Sequence, residues 1–262
     1  MKHMMKTLLL LLTAGVVIIS CKKEVKTLPD EISQETLAKI SNLGFSTSNV
    51  LKVDEGYLVE DDIILTNENL NEAPNSPRLR IAEVEQYNTF NLVTGGVRTI
   101  TVSSSGNVSA SISNAINAAI ARYNAETLEL TFQRVTSGGD INITVINGGS
   151  YIASAGFPSG GDPYPEVKFN KRYQNYSSGF LTTVIAHELG HCIGFRHTDY
   201  MNRAYSCGTG GNEGQETTGV GAVHIPGTPT GPDAASWMLA CLSSSTNRPF
   251  NTNDKVALDH LY

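Results

Sequence analysis

From residue 93 the apolar positions fall into short, regular patterns. Val97 to Val102 alternates apolar and polar residues, as a half-buried strand does. Val108 to Ala125 instead repeats at helical spacing through Ile112, Ile116, Ile120 and Tyr123. Leu128 to Val135, Ile141 to Ile146 and Glu166 to Asn170 read as further strands, with a glycine-rich passage, Ser154 to Gly161, before the last. Phe180 to Ile193 carries Leu181, Ile185, Leu189 and Ile193 at intervals of four, a helix with one apolar stripe. After Gly194 the pattern dissolves into Gly and Pro until a closing helix over Asn253 to Tyr262, capped by Asn253 or Thr252. The expected class is α+β: a small mixed sheet backed by two helices, then an irregular C-terminal part.

Residues 21–90 differ from this. They hold an excess of acidic over basic residues, whereas 91–262 is nearly balanced, so the two segments have different jobs. A lysine-rich linker leads to a helix with Asp30 near its N-cap and Ile32, Leu37, Ile40 and Leu43 on one face, stopped by Gly44. Extended runs follow at 49–53 and 56–66, and Asn67 to Pro77 reads as an exposed linker.

The first twenty residues are a third kind of sequence. Lys2 and Lys6 precede an apolar run, Leu8 to Ile19, that is too short to span a bilayer and reads as a secretory signal. Ile18-Ile19-Ser20-Cys21 resembles the lipobox of a bacterial lipoprotein. The resemblance implies cleavage before Cys21, lipidation of that residue, and an exported protein anchored to a membrane of the cell envelope. The domain expectation is therefore 1–20 signal peptide, 21–90 acidic pro-segment and linker, and 91–262 the main folded domain. The formal net charge of −6 and the lack of a basic run argue against a nucleic-acid partner. Export also places the cysteines in an oxidising compartment. With Cys21 lipidated, three remain, so at most one internal disulfide forms. A Cys207–Cys241 bridge would tether the long loop to the segment after Met238, with Cys192–Cys207 the next choice.

The chemistry concentrates in HELGHCIGFRH, residues 187–197. His187 and His191 lie one helical turn apart, so both imidazoles reach a single zinc ion, while Glu188 is close to the metal without binding it. His197 would lie about 15 Å along the axis of a continuing helix. Gly194 allows the chain to turn back and deliver it as third ligand, with Asp199 an alternative. The residue types and spacing point to hydrolysis by zinc-activated water with Glu188 as general base.

On these residues the chain resembles the metzincin clan of zinc peptidases, within it most of all the bacterial dual-action HEIGH metallo-peptidases, although Leu189 replaces the isoleucine of that name. The resemblance implies a metzincin-like fold with a mixed five-stranded sheet and two helices. It also implies a Met-turn at Ser236-Trp237-Met238 that places Met238 beneath the zinc, and an edge strand near Ser154 to Phe157 that pairs with a peptide. One departure from astacin-like members is Ala240, where they carry a tyrosine. Val59-Glu60-Asp61-Asp62-Ile63 resembles the acidic motif by which astacin pro-segments place an aspartate on the metal, which would make Asp62 a latency switch; a solvated turn is the competing reading. The functional expectation is a zinc endopeptidase with peptide or protein substrates, acting as a monomer and anchored through lipid. A zinc hydrolase of non-peptide amides and a non-cutting surface binding protein remain as alternatives.

Overall fold

The computed structural model describes residues 32–71, 86–209, 220–229 and 231–262. Residues 1–20, Cys21 and Asp30 lie outside them. Residues 32–262 form one compact unit.

The first helix, α1 (Gln34–Asn42), begins where the Ser33 hydroxyl accepts the Thr36 N–H, and Gly44 follows its end with a φ of 82°. Three short antiparallel strands come next: β1 (Leu51–Val53), β2 (Gly56–Val59) and β3 (Ile63–Leu65). The single extended run expected over 56–66 is broken because the chain reverses at Glu60 and Asp61. Both are left-handed, with φ of 57° and 73°, and the Asp62 N–H donates to the Val59 carbonyl at 3.3 Å. Two left-handed residues between paired strands make a tight hairpin of the kind that favours Asn-Gly. Here neither is glycine, at a conformational cost of about 1–2 kcal/mol each.

The two-residue β4 (Tyr87–Asn88) precedes the main sheet strands. These are β5 (Arg98–Gly106), β6 (Leu130–Arg134), β7 (Ile141–Ile146), β8 (Ala153–Ala155) and β9 (Glu166–Asn170), with helix α2 (Ala110–Asn124) between β5 and β6. Helix α3 (Ser178–Cys192), the one-turn α4 (Ala204–Cys207), β10 (Val223–His224) and α5 (Thr252–Leu261) complete the order. β10 pairs with β4 in a separate two-stranded ladder. Helix α5 is capped by Asn251, not by Asn253 or Thr252: the Asn251 side chain accepts the Asp254 N–H and the Asp254 carboxylate accepts the Asn251 N–H.

The five expected strands are present as β8-β9-β7-β5-β6, parallel except for β8. The sheet continues past them. β3 pairs in parallel with β8 through Ile63 and Ala155, so the full order is β1-β2-β3-β8-β9-β7-β5-β6. The strand expected to present a free edge to substrate is thus covered by the segment that precedes it. A second apolar cluster seals this junction: Ile40, Phe45, Val59, Ile63 and Leu65 pack with Phe157 and Val220.

Helix α3 also departs from expectation. Its stripe of Leu181, Ile185 and Leu189 belongs to the main core with α2, but every residue from Phe180 to Cys192 is buried, the histidine face included. The helix runs through the centre of the molecule, covered by the sheet, α2, the C-terminal segment and the hairpin.

Candidate metal centre and active site

Helix α3 ends by design of its sequence. The Gly194 N–H donates to the His191 carbonyl at 2.9 Å and the Phe195 N–H to Gly190 at 2.9 Å, closing the last turn. Gly194 adopts φ of 109°, which side-chain-bearing residues rarely adopt. The chain that leaves it is pinned on both sides: Thr89 N–H donates to the Gly194 carbonyl, Arg196 N–H to Tyr87, and Thr198 N–H to Met238. His197 is carried back by this path to the histidines of the helix.

The ring nitrogens converge. His191 Nε2 is 3.3 Å from His197 Nε2. Asp62 Oδ2 is 3.1 Å from His197 Nε2 and 3.7 Å from His187 Nε2. One ligand atom from each of these four residues lies within 4.8 Å of the other three. Tetrahedral zinc with ligands at 2.0–2.1 Å requires about 3.3–3.4 Å between ligand atoms, so the cluster has the right dimensions. The proton positions agree. His187 Nδ1 donates to the Trp237 carbonyl at 2.9 Å and His191 Nδ1 to the Phe195 carbonyl at 2.8 Å. A carbonyl only accepts, so these rings carry their protons on Nδ1 and turn Nε2 lone pairs inward. His187 Nε2 is buried without a hydrogen bond among the described residues. Lone pairs and a carboxylate facing one another in a buried space call for a cation.

Charge distribution follows. Burial by itself would raise the Asp62 carboxyl, but positive charge at His197 first, and then at His187 and His191, holds it well below the usual carboxylate range; with the lone pairs turned inward, a cation between them would supply that charge instead. Burial first, and then the Asp62 charge, push Glu188 well above its ordinary value. One Glu188 oxygen is buried with no hydrogen-bond partner among the described residues. Burial, with His187 and His197 adding to it, lowers His191.

Met238 is fully buried, and its sulfur lies 2.6 Å from where a Cβ on Gly190 would stand. Met238 therefore sits directly against the helix at Gly190, between the two histidines in the chain. Trp237 packs edge-on against Phe195 and Phe250, which sets the turn's height. Asp254 of α5 accepts the Trp237 N–H at 3.3 Å and the Gln86 side-chain amide at 2.7 Å, tying the turn to the last helix.

Asp199 does not join the cluster. Its carboxylate accepts the Ala240 N–H at 2.9 Å and the Ser206 hydroxyl at 2.5 Å, so it braces the chain after His197 against the segment that follows Met238. The Cys207–Cys241 disulfide spans the same two segments, and Cys192 is a buried free thiol in α3. A cavity of about 390 Å³ opens beside His187 and Glu188. Tyr151, Ile152, Tyr173, Val184 and Leu242 supply its apolar walls, and Ala240, where a tyrosine would stand, lines it too.

The sequence reading missed three contributors. Glu60 approaches His197, Arg203 Nη2 donates to the Glu60 carbonyl at 2.8 Å, and the Trp237 carbonyl orients His187. Glu60 was visible within the acidic run; the other two depend on contacts between segments far apart in the chain.

A family model described as dual-action HEIGH metallo-peptidase matches residues 57–262. Among solved structures, two of myroilysin are 20% and 17% identical, covering 40% and 63% of this chain and 45% and 83% of theirs, with TM-scores of 0.34 and 0.41. High choriolytic enzyme 1, a hatching enzyme zinc-protease from Oryzias latipes (medaka fish), is 18% identical over 58% of this chain and 72% of its own, with a TM-score of 0.37. The chain thus spans less than half the length of the first myroilysin structure. No curated protein matches it.

Proposed function

The chain belongs to the dual-action HEIGH metallo-peptidase family, and we propose that it is a zinc endopeptidase of metzincin type kept latent by its own residues 21–90, with Glu188 as general base and Asp62 as the switch. The observation that carries this reading is the Asp62 carboxylate among the three histidines. A catalytic zinc takes three protein ligands and keeps a fourth place for water or substrate. With Asp62 as fourth ligand the set is that of a closed site, so the hairpin has to withdraw before turnover.

When bound, zinc supplies Lewis acidity that makes water a nucleophile near neutral pH and polarises the scissile carbonyl. Three residues would hold it: His187, His191 and His197. Glu188 takes a proton from the water through its unpartnered carboxylate oxygen and delivers it to the leaving amine. Departure of β3 frees the β8 backbone to pair with a peptide strand, and the apolar cavity beside Glu188 receives a substrate side chain. No tyrosine assists from position 240. Residues 1–20 act as a lipoprotein signal and Cys21 as the lipidated anchor in a bacterial cell envelope; the charged head, the short apolar run and the Ile-Ser-Cys junction support that part.

The test is casein hydrolysis by the full chain and by Asp62→Ala, each with and without a zinc chelator. The variant should cut faster than the unmodified chain, and chelation should stop it. If the unmodified chain cuts as fast as Asp62→Ala, latency through this aspartate is wrong; cutting that survives chelation would reject the metal mechanism.

A further inference from the structure

Each metal-facing histidine needs something to hold its other nitrogen. His187 and His191 use main-chain carbonyls, Trp237 and Phe195. For His197 the group on that side is a carboxylate. Glu60 Oε2 lies 3.9 Å from His197 Nδ1, and both side chains are fully buried. We infer that Glu60 is a positioning residue for His197, so that the hairpin supplies an outer carboxylate as well as a ligand and makes the latent chain a tighter zinc binder. This rests on the zinc site read above and extends it to a residue outside the ligand set.

Two features of Glu60 are costly for a turn residue with no task. A carboxylate removed from water is unfavourable unless its charge is met. A left-handed backbone, φ 57°, is uncommon for glutamate. Such strain persists where surrounding contacts enforce it, and functional sites are where it gathers. The enforcing contacts are present. The Ser46 N–H donates to Glu60 Oε1 at 3.2 Å, and Arg203 Nη2 donates to the Glu60 carbonyl at 2.8 Å. The first holds the side chain beside His197, and the second holds the main chain of the turn. At 3.9 Å the contact is a close electrostatic approach rather than a hydrogen bond, and a negative charge there favours the tautomer with its proton on Nδ1. It also raises the basicity of Nε2, the atom that faces Asp62 and His191. Asp61, the next residue in the same hairpin, is exposed and serves as a control for mere loss of charge.

The experiment measures zinc affinity of the full chain by competition with a chromophoric chelator, for the unmodified chain, Glu60→Gln, Glu60→Ala and Asp61→Asn. Outer carboxylates on ligating histidines are worth about 10–100-fold in metal affinity. Glu60→Gln, which keeps shape and the Ser46 contact, should therefore lose about ten-fold, Glu60→Ala at least as much, and Asp61→Asn less than two-fold. In the cobalt-loaded chain the visible spectrum should keep its four-ligand form in Glu60→Gln but change in Asp62→Asn, which separates positioning from ligation. Circular dichroism of each metal-free variant checks folding. Equal affinity for Glu60→Gln and the unmodified chain overturns the inference, as does an equal loss in Asp61→Asn or a changed cobalt spectrum in Glu60→Gln. An unmodified chain that takes up no zinc overturns this inference and the proposed function together, whereas equal affinities leave the proposed function standing.

Discussion

Replacing Gly194 by alanine asks directly whether one residue brings the third histidine to the site. An added Cβ would stand 2.8 Å from the Asn91 carbonyl oxygen and 2.8 Å from Leu92 Cδ2, and the backbone has φ of 109°. The conformation costs about 1–2 kcal/mol for a residue with a side chain. The overlap adds about 1–3 kcal/mol, because the Asn91 oxygen is main chain and cannot swing aside. Loss of glycine's freedom in the unfolded chain returns less than about 1 kcal/mol. The net loss is on the order of 2–4 kcal/mol, and at about 2–4 °C per kcal/mol for a domain of this size the melting temperature should fall by roughly 10 °C. Metal sites tolerate only about 0.2 Å in ligand distances, so zinc affinity should fall as well. Gly190→Ala is the comparison. It meets the Met238 sulfur at 2.6 Å, a flexible side chain, and gains up to about 1 kcal/mol of helix propensity, so its melting temperature should fall less. Thermal unfolding with and without zinc, read by circular dichroism, measures both. A Gly194→Ala protein that melts within about 2 °C of the parent and binds zinc equally well would show that the turn is not what delivers His197.

Glu188→Ala should keep its zinc and lose hydrolysis even when Asp62→Ala has removed latency; near-normal turnover in that double variant means another group handles the proton. Asp254 has its acid pushed up to about 7, chiefly by burial, from an ordinary 3.8. A raised acid contributes its stability below the ordinary value and loses it as pH rises through the folded one, so Asp254→Asn should match the parent near pH 4 and exceed it by on the order of a few kcal/mol above pH 7. Urea unfolding of both proteins across that range decides it, because the metal's own pH dependence cancels in the difference; parallel profiles would exclude the account. Asp61→Gly places glycine at an exposed left-handed position, φ 73°, and should stabilise the full chain by about 1 kcal/mol, or a few degrees in melting temperature. No gain in a thermal scan would mean the hairpin carries no strain there.

What the sequence determined by itself is local. The offsets in HELGHCIGFRH are set by helix geometry and one glycine, so the candidate ligands, the candidate base and the turn that gathers the histidines were legible without knowing what surrounds them. Strands β7 and β9 fell on their sequence boundaries because a two-residue period with bounding turns is written within a few residues. The acidic run around Asp62 was legible as a candidate occupant of the site only through its resemblance to the astacin motif, with a solvated turn as the competing reading. Only the tertiary structure decided that β3 lies along β8, since parallel pairing joins segments with no turn between them to set a register. Only it showed α3 covered on every side, because an apolar stripe tells which face meets the core and says nothing about what a hairpin from elsewhere lays over the other. The same holds for Asp199, a ligand candidate by spacing that spends both oxygens on Ala240 and Ser206, and for Glu60, whose partner stands 137 residues away. Chemistry that fits within a helical turn can be read from the chain; which distant carboxylate faces that chemistry is settled by packing, because every such contact must first offset the entropy of closing a long loop.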